Sequence, residues 1–406
     1  MNIPVTSWCM LGLAIFCLPF ALNALRPIYR PSTWATLSFA AGILTIELAP
    51  LHLLWESGLM LWWALAGGLN HTLGWIGLGL WAFNALVLIW AISKALLSRK
   101  EVDAALPKEA PEFPPPAFAR ALIPWPIRPG RIERLTHLQY SAPNDKPLHL
   151  DLYRRRGQKG PRPTLLFAHG GGWVLGSNRE QGLPMLHHLA DQGWLCASAN
   201  YRLSPKATFP DMLIDLARAL AWLKTEGKKY GADAERMVLA GGSAGGHLAS
   251  LLALSAEDPQ LQKAVAGQDL QVRACVGLYG VYDLTDSEEA HSNPGLMGLW
   301  VRRVLKKRFT DFPEAFRKAS PLHQIHNKAP AMLLVQGKND TMAPLAGARL
   351  FAKTLKATSQ APVFLMEFSG TQHAFDIIPS IRTRQMIRGV GRFLNSTVKN
   401  LPPDEP

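Results

Sequence analysis

The stretch Leu239-Ala240-Gly241-Gly242-Ser243-Ala244-Gly245-Gly246-His247 decides how this chain is read. Upstream of it, Arg236-Met237-Val238-Leu239-Ala240 is short, apolar and bounded by a charge, which suits a buried strand. Downstream, His247 to Leu254 suits a buried helix. Between them lies Gly241-x-Ser243-x-Gly245, the spacing of a nucleophile elbow. The reason is steric. A serine pushed out on a strained strand-to-helix turn needs neighbours without bulk, and Gly241, Ala244 and Gly245 supply them. The turn also sets Ser243 at a helix N-terminus, where free backbone N–H groups favour developing negative charge. Small-residue turns between strand and helix are common, so the rest of the chain must decide whether this serine does chemistry.

Strands and helices alternate on both sides of the elbow. Strand-like runs cover 132–140, 148–153, 164–168, 195–200, 237–240, 273–279, 331–336 and 363–368. Helix-like runs cover 179–192, 211–230, 244–256, 343–357 and 382–394. The first two strands follow one another across a turn. After them the alternation implies a mostly parallel sheet with helices on both faces. Ligands of such sheets sit at the C-terminal strand ends, where Ser243 falls.

Three more stretches end at that edge. His169-Gly170-Gly171-Gly172-Trp173 follows the strand Thr164–Ala168. Its glycines let backbone N–H groups approach a substrate and, with the N–H of Ala244, hold an oxyanion. A phosphate cradle is the competing reading, but the Walker spacing and its lysine are absent. Gly337-Lys338-Asn339-Asp340 puts an acid after a strand, where it can orient a histidine. Gly370-Thr371-Gln372-His373 puts a base after the last strand. Alone, a loop Asp is usually a turn former and a loop His merely exposed. Together, in the order Ser243, Asp340, His373, they match the order of this fold. Asp376 and Asp283 are rival acids, and His247 is a rival base. His169 is expected to shape the glycine loop. Arg202, in Tyr201-Arg202-Leu203-Ser204-Pro205, is expected to pair with Asp211 or Asp215 as a structural tie.

These motifs make residues 131–398 resemble an α/β-hydrolase of the hormone-sensitive-lipase-like (HGGGW) esterase group. The resemblance rests on His169 to Trp173, Tyr201 to Pro205, Gly241 to Gly246, Gly337-x-x-Asp340 and His373-x-Phe375. It implies Ser243 as nucleophile, His373 as base, Asp340 as orienting acid, and Gly171, Gly172 and Ala244 as oxyanion hole. His169, Gly170, Trp173, Gly241 and Gly245 support those motifs. No metal-ligand cluster stands out in the sequence, and no cofactor is expected. One departure is Gly242, where many relatives carry Asp or Glu; it bears on substrate preference and pH optimum. A cap is expected near 284–320, with Leu296, Met297, Leu299, Trp300, Val301 and Val304 as candidate walls of an acyl pocket. The basic run Arg302, Arg303, Lys306, Lys307 and Arg308 is either a solvated helix face or a contact for anionic headgroups.

The first hundred residues differ in kind. They hold eight of the thirteen tryptophans, with Arg26, Arg30, Lys94, Arg99 and Lys100 against Glu47 and Glu56. Apolar runs over 8–25, 33–55 and 73–97 predict three transmembrane helices. The Gly-rich stretch 56–71 either lies along the interface or extends a helix. A cleaved signal peptide fits less well, because the basic n-region is missing. Three spans put both basic clusters on one side, so the catalytic domain is expected to be cytoplasmic. In a bacterium this would be an inner-membrane protein, and the arrangement resembles bacterial membrane-associated carboxylesterases. Glu47, inside a span, is a candidate functional residue or an interfacial pairing. Residues 98–130 are Pro-rich and read as an extended linker, and 399–406 as a tail.

A net charge of +13 raises nucleic acid as a partner, but the basic residues are scattered and no nucleic-acid motif is present. The four cysteines lack framework spacing, so free buried thiols are expected. The expected activity is that of a membrane-tethered serine carboxylesterase acting on esters, including lipid-derived ones. Acyl transfer or peptide cleavage on the same triad is the chemical alternative. A non-catalytic scaffold is disfavoured because neither nucleophile nor base is lost.

Overall fold

Eight strands form one sheet in the computed structural model, which describes residues 3–286 and 294–398. They are β1 (Ile132–Ser141), β2 (Leu148–Arg155), β3 (Arg162–Ala168), β4 (Leu195–Ala199), β5 (Ala232–Gly242), β6 (Ala274–Leu278), β7 (Ala331–Gly337) and β8 (Val363–Phe368). The helices are α1 (Val5–Leu25), α2 (Ser32–Glu47), α3 (Ala49–Leu65), α4 (Thr72–Ala105), α5 (Leu183–Asp191), α6 (Asp211–Thr225), α7 (Ala244–Leu254), α8 (Pro259–Ala264), α9 (Pro294–Leu299), α10 (Pro313–Ala319), α11 (Leu345–Thr358) and α12 (Ile381–Thr397). The sheet order is β1-β2-β4-β3-β5-β6-β7-β8. β2 is antiparallel to β1 and β4, and the other pairs are parallel.

Side chains of a strand alternate between faces, and both faces of this sheet are covered. Leu166, Leu239 and Leu334 join α6, α7 and α11 in one core. Leu165, Phe167, Val238, Ala240, Leu333 and Val335 join α5 and α12 in the other. That double burial is why the central strands read as unbroken apolar runs. Parallel register places the ends of β3, β5 and β7 at one edge: Ala168 lies beside Gly241, and Gly337 beside Phe368 at the end of β8.

The N-terminal helices do not stand apart from this domain. Ile43 of α2 and Val102 of α4 belong to the second core, together with Phe113 of the Pro-rich stretch. α4 is a single helix running on to Ala105, and it packs on β8 and α12. Asp103 pairs with Arg388 and Arg392 at 2.8 Å, and Glu112 pairs with Arg388 at 2.8 Å. Residues 98–105 of the expected linker continue α4, Phe118–Leu122 form a 3-10 helix, and the stretch is held against α12.

The helix expected over 33–55 is instead two helices, α2 and α3, bent by 77°. Pro50 sits in the first turn of α3, where it supplies no N–H to the preceding turn and ends the helix before it. The 56–71 stretch extends α3 to Leu65. By length and composition α1 and α4 can cross a membrane, and the bent pair makes a third candidate.

Candidate active site

Ser243 is the residue between β5 and α7, with φ 55° and ψ −120°. For a residue with a side chain this conformation is strained by about 1–3 kcal/mol. Its surroundings explain the small neighbours. A Cβ on Gly245 would lie 2.0 Å from the Ala168 carbonyl oxygen, and one on Gly241 2.3 Å from that of Gly245. The Ser243 amide donates to Leu278 O at 2.9 Å, which ties the turn to β6.

His373 lies in the loop after β8, and Asp340 in the loop after β7. His373 Nδ1 is 2.7 Å from Asp340 Oδ2, and Nε2 is 2.7 Å from Ser243 Oγ. A carboxylate only accepts, so Nδ1 carries the proton and Nε2 accepts the serine hydroxyl. Asp340 is fixed on every side. Met342 and Ala343 amides donate to its Oδ1 at 2.8 and 2.7 Å, and Gln336 Nε2 donates to its Oδ2 at 2.7 Å. With the His373 Nδ1–H, four donors hold its two oxygens in place in a site almost closed to water.

The glycine loop abuts the serine. A Cβ on Gly170 would lie 3.1 Å from Ser243 Cβ. Gly171 and Gly172 have φ of 112° and 59°, which side-chain-bearing residues rarely adopt. The Gly170 amide is engaged, donating to Gln181 Oε1 at 2.6 Å. His169 donates from Nδ1 to Gly170 O at 2.7 Å, and its ring stacks on Tyr201 with centroids 4.4 Å apart. Trp173 is fully buried behind the loop.

The rivals fall elsewhere. His247 is fully buried, donates from Nε2 to Ala319 O at 2.7 Å and accepts from Trp173 Nε1 at 3.3 Å. Burial lowers its pKa to about 4. Asp283 accepts from Thr285 and faces His323. Arg202 pairs with Asp215 at 2.7 Å and with Asp211 at 3.3 Å, a tie at the start of α6. Asp376 accepts from the Tyr279 hydroxyl, and burial pushes its carboxyl up to about 6.

The Tyr279–Asp376 pair was not legible in the sequence. Tyr279 packs its ring on His373 with centroids 4.7 Å apart. It also fills the place of a side chain at 242, since a Cβ on Gly242 would lie 2.7 Å from its hydroxyl. The one signal that could have found the pair is Gly242, which leaves room at the elbow that Tyr279, just after β6, fills.

Two elements roof the site. Phe39 of α2 meets the His373 ring edge-on at 5.8 Å, and Leu299 of α9 would be 3.2 Å from a Cβ on Gly172. Of the acyl-wall residues read from the sequence, Trp300 and Val304 are instead fully buried. Trp300 packs on Trp173 and His247, because so large an apolar ring is better placed in the core than at an opening. The side chains of Leu296, Met297 and Val301, segment 287–293 of the cap and the 399–406 tail lie outside the described residues. A cavity of about 250 Å³ between the Pro-rich stretch, α5 and α12 is not lined by Ser243, Asp340 or His373.

Residues 150–355 match the BD-FAE family. The chain belongs to this family. The BD-FAE match begins after the N-terminal helices, includes Ser243 and Asp340, and stops before His373. A Mycobacterium tuberculosis protein described as "Probable carboxylic ester hydrolase LipM" is 38% identical over 69% of this chain and 66% of its own length. Esterase LipC of the same organism is 36% identical over 72% of this chain and 71% of its own. The chain thus spans about two thirds of the length of these relatives. Esterase 2 of Thermogutta terrifontis shares the fold, with a TM-score of 0.55 at 24% identity over 68% of this chain and 96% of that one. Relatives and fold agree that the BD-FAE domain here is an α/β-hydrolase.

Proposed function

We propose that the chain is a membrane-tethered serine carboxylic ester hydrolase that works through an acyl-enzyme on Ser243. The observation that carries this is the relay from Ser243 Oγ through His373 to Asp340, with both contacts at 2.7 Å. Relatives described as esterases support it.

In the first step the Ser243 oxygen attacks the ester carbonyl while its proton passes to His373 Nε2. The carbonyl oxygen becomes an oxyanion, held by the N–H groups of Gly171, Gly172 and Ala244. Asp340 stabilises the imidazolium. The C–O bond to the leaving alcohol breaks, and His373 returns the proton to that alcohol. A water then repeats the sequence on the acyl-enzyme and releases the carboxylic acid. Purified protein should hydrolyse short-chain p-nitrophenyl esters. Ser243→Ala should lower kcat by at least about a thousandfold. Undiminished turnover by that variant refutes the assignment.

The tether is proposed from α1, α4 and the bent pair, with the catalytic domain on the side of Arg26 and Lys100. Trp34, Leu37 and Leu44 expose large apolar surface on α2, the helix that roofs the triad. Ester substrates borne by lipid would meet that surface first. Retention in the membrane pellet after alkaline carbonate washing tests the tether. A panel of lipid esters on the inserted enzyme, with Ser243→Ala as blank, tests the substrate class.

A further inference from the structure

The helix α2 carries one carboxylate into the interior, and its partners come from the two ends of the loop that carries the candidate base and from the start of α12. Glu47 Oε1 accepts from Thr371 Oγ1 at 2.5 Å and from Arg382 Nη1 at 2.7 Å. Its Oε2 accepts from Ser380 Oγ at 2.6 Å. Glu47 and Arg382 are 4% and 0% exposed, so this is a desolvated ion pair with added hydrogen bonds. Thr371 and Ser380 bracket the loop that presents His373. Ser380 also caps α12 by accepting from Thr383 N at 3.1 Å.

A second tie runs from the same helix to the acid. Thr341 Oγ1, next to Asp340, donates to the Ala35 carbonyl of α2 at 2.9 Å. The Thr341 amide donates at 3.1 Å to Gln372 Oε1, the residue before His373. The Asn339 amide donates to Thr371 O at 3.1 Å. One helix of the apolar block therefore grips both loops of the relay, and Phe39 of that helix covers the imidazole.

We infer that Glu47 is a positioning residue for His373: through Thr371 and Ser380 it fixes the histidine loop to α2, so the N-terminal block is a working part of the active site and not only an anchor. Such a role has physical leverage because a displacement of about 1 Å in a reacting group costs as much as a hundredfold in rate. A buried carboxylate with three donors is rigid, whereas the loop it holds has little regular structure of its own. The inference rests on the proposed roles of Ser243 and His373, and the experiment separates the two.

The test uses the full chain in detergent or vesicles. Active sites are counted with a p-nitrophenyl phosphonate, and kcat and KM for p-nitrophenyl acetate are measured per titrated site. Thr371→Val keeps shape and removes only the hydroxyl that meets Glu47. Its kcat should fall on the order of tenfold with KM within about twofold. Thr371→Ser should restore kcat, and Glu47→Gln should fall at least as far as Thr371→Val. If Glu47→Gln fails to fold, the two Thr371 variants still decide. Wild-type kcat per titrated site in Thr371→Val, even with a lowered melting temperature, overturns the positioning role. Failure of the phosphonate to label Ser243 in the wild-type chain overturns the nucleophile assignment instead.

Discussion

Gly245 and His247 mark two ways in which single residues constrain this site. With the Ala168 carbonyl 2.0 Å from where a Cβ would sit, Gly245→Ala must push β3 and α7 apart. Overpacking of this kind costs about 1–3 kcal/mol or more, so its unfolding midpoint should drop while that of a solvent-facing Ala substitution does not. His247 bears on pH. Its folded pKa of about 4 lies below its ordinary 6.5, so folding releases its proton. Its stabilising contribution is complete above about pH 6.5 and is lost as pH falls toward 4. The shift corresponds to about 3 kcal/mol. His187, lowered to about 4 mainly by burial, acts in the same direction. Asp376 acts oppositely. Its carboxyl is raised from 3.8 to about 6, so its contribution is present below about pH 4 and lost as pH rises through 6. His247→Gln isolates the histidine: its melting temperature should fall less between pH 7 and pH 5 than that of the wild type. An equal fall in both would contradict the buried neutral imidazole.

Among the elements, the strands were the most legible because burial on both faces leaves an apolar run with no competing pattern. The loops at their C-terminal ends were legible because glycine, acid and histidine there have few structural reasons to recur together. The bend between α2 and α3 was not legible. Apolar composition continues across it, and only Pro50 marks the break. Nor was the docking of the Pro-rich stretch, since proline content reports local backbone and not what the chain lies against. The missed signal was in α12, where Arg382, Arg388 and Arg392 are buried and each requires an acid. Their partners Glu47, Asp103 and Glu112 come from segments read as membrane or linker. Phe113 anchors that stretch, 2% exposed against Gly391. Phe113→Ala should lower stability by about 3–5 kcal/mol in denaturant unfolding, the range for a buried aromatic. A loss under about 1 kcal/mol would show the stretch to be a loose spacer.

Taken whole, the molecule shares its second core between the hydrolase domain and the segments before it. A chain beginning at Arg131 would leave Arg382, Arg388 and Arg392 without these partners and uncover the places of Ile43, Val102 and Phe113. Stranding one buried charge costs about 3–5 kcal/mol, comparable to the whole stability of many domains. Such a fragment should give no cooperative thermal transition and no esterase activity, and a fully active fragment would argue that the block is dispensable. The chemistry itself is tested most directly by intact-mass analysis of the full chain quenched during turnover of a slowly deacylated p-nitrophenyl ester. The expected result is a stoichiometric acyl adduct that peptide mapping places on Ser243 and that Ser243→Ala lacks. Burst release of nitrophenol with the acyl group on another residue, or full turnover by Ser243→Ala, would contradict it.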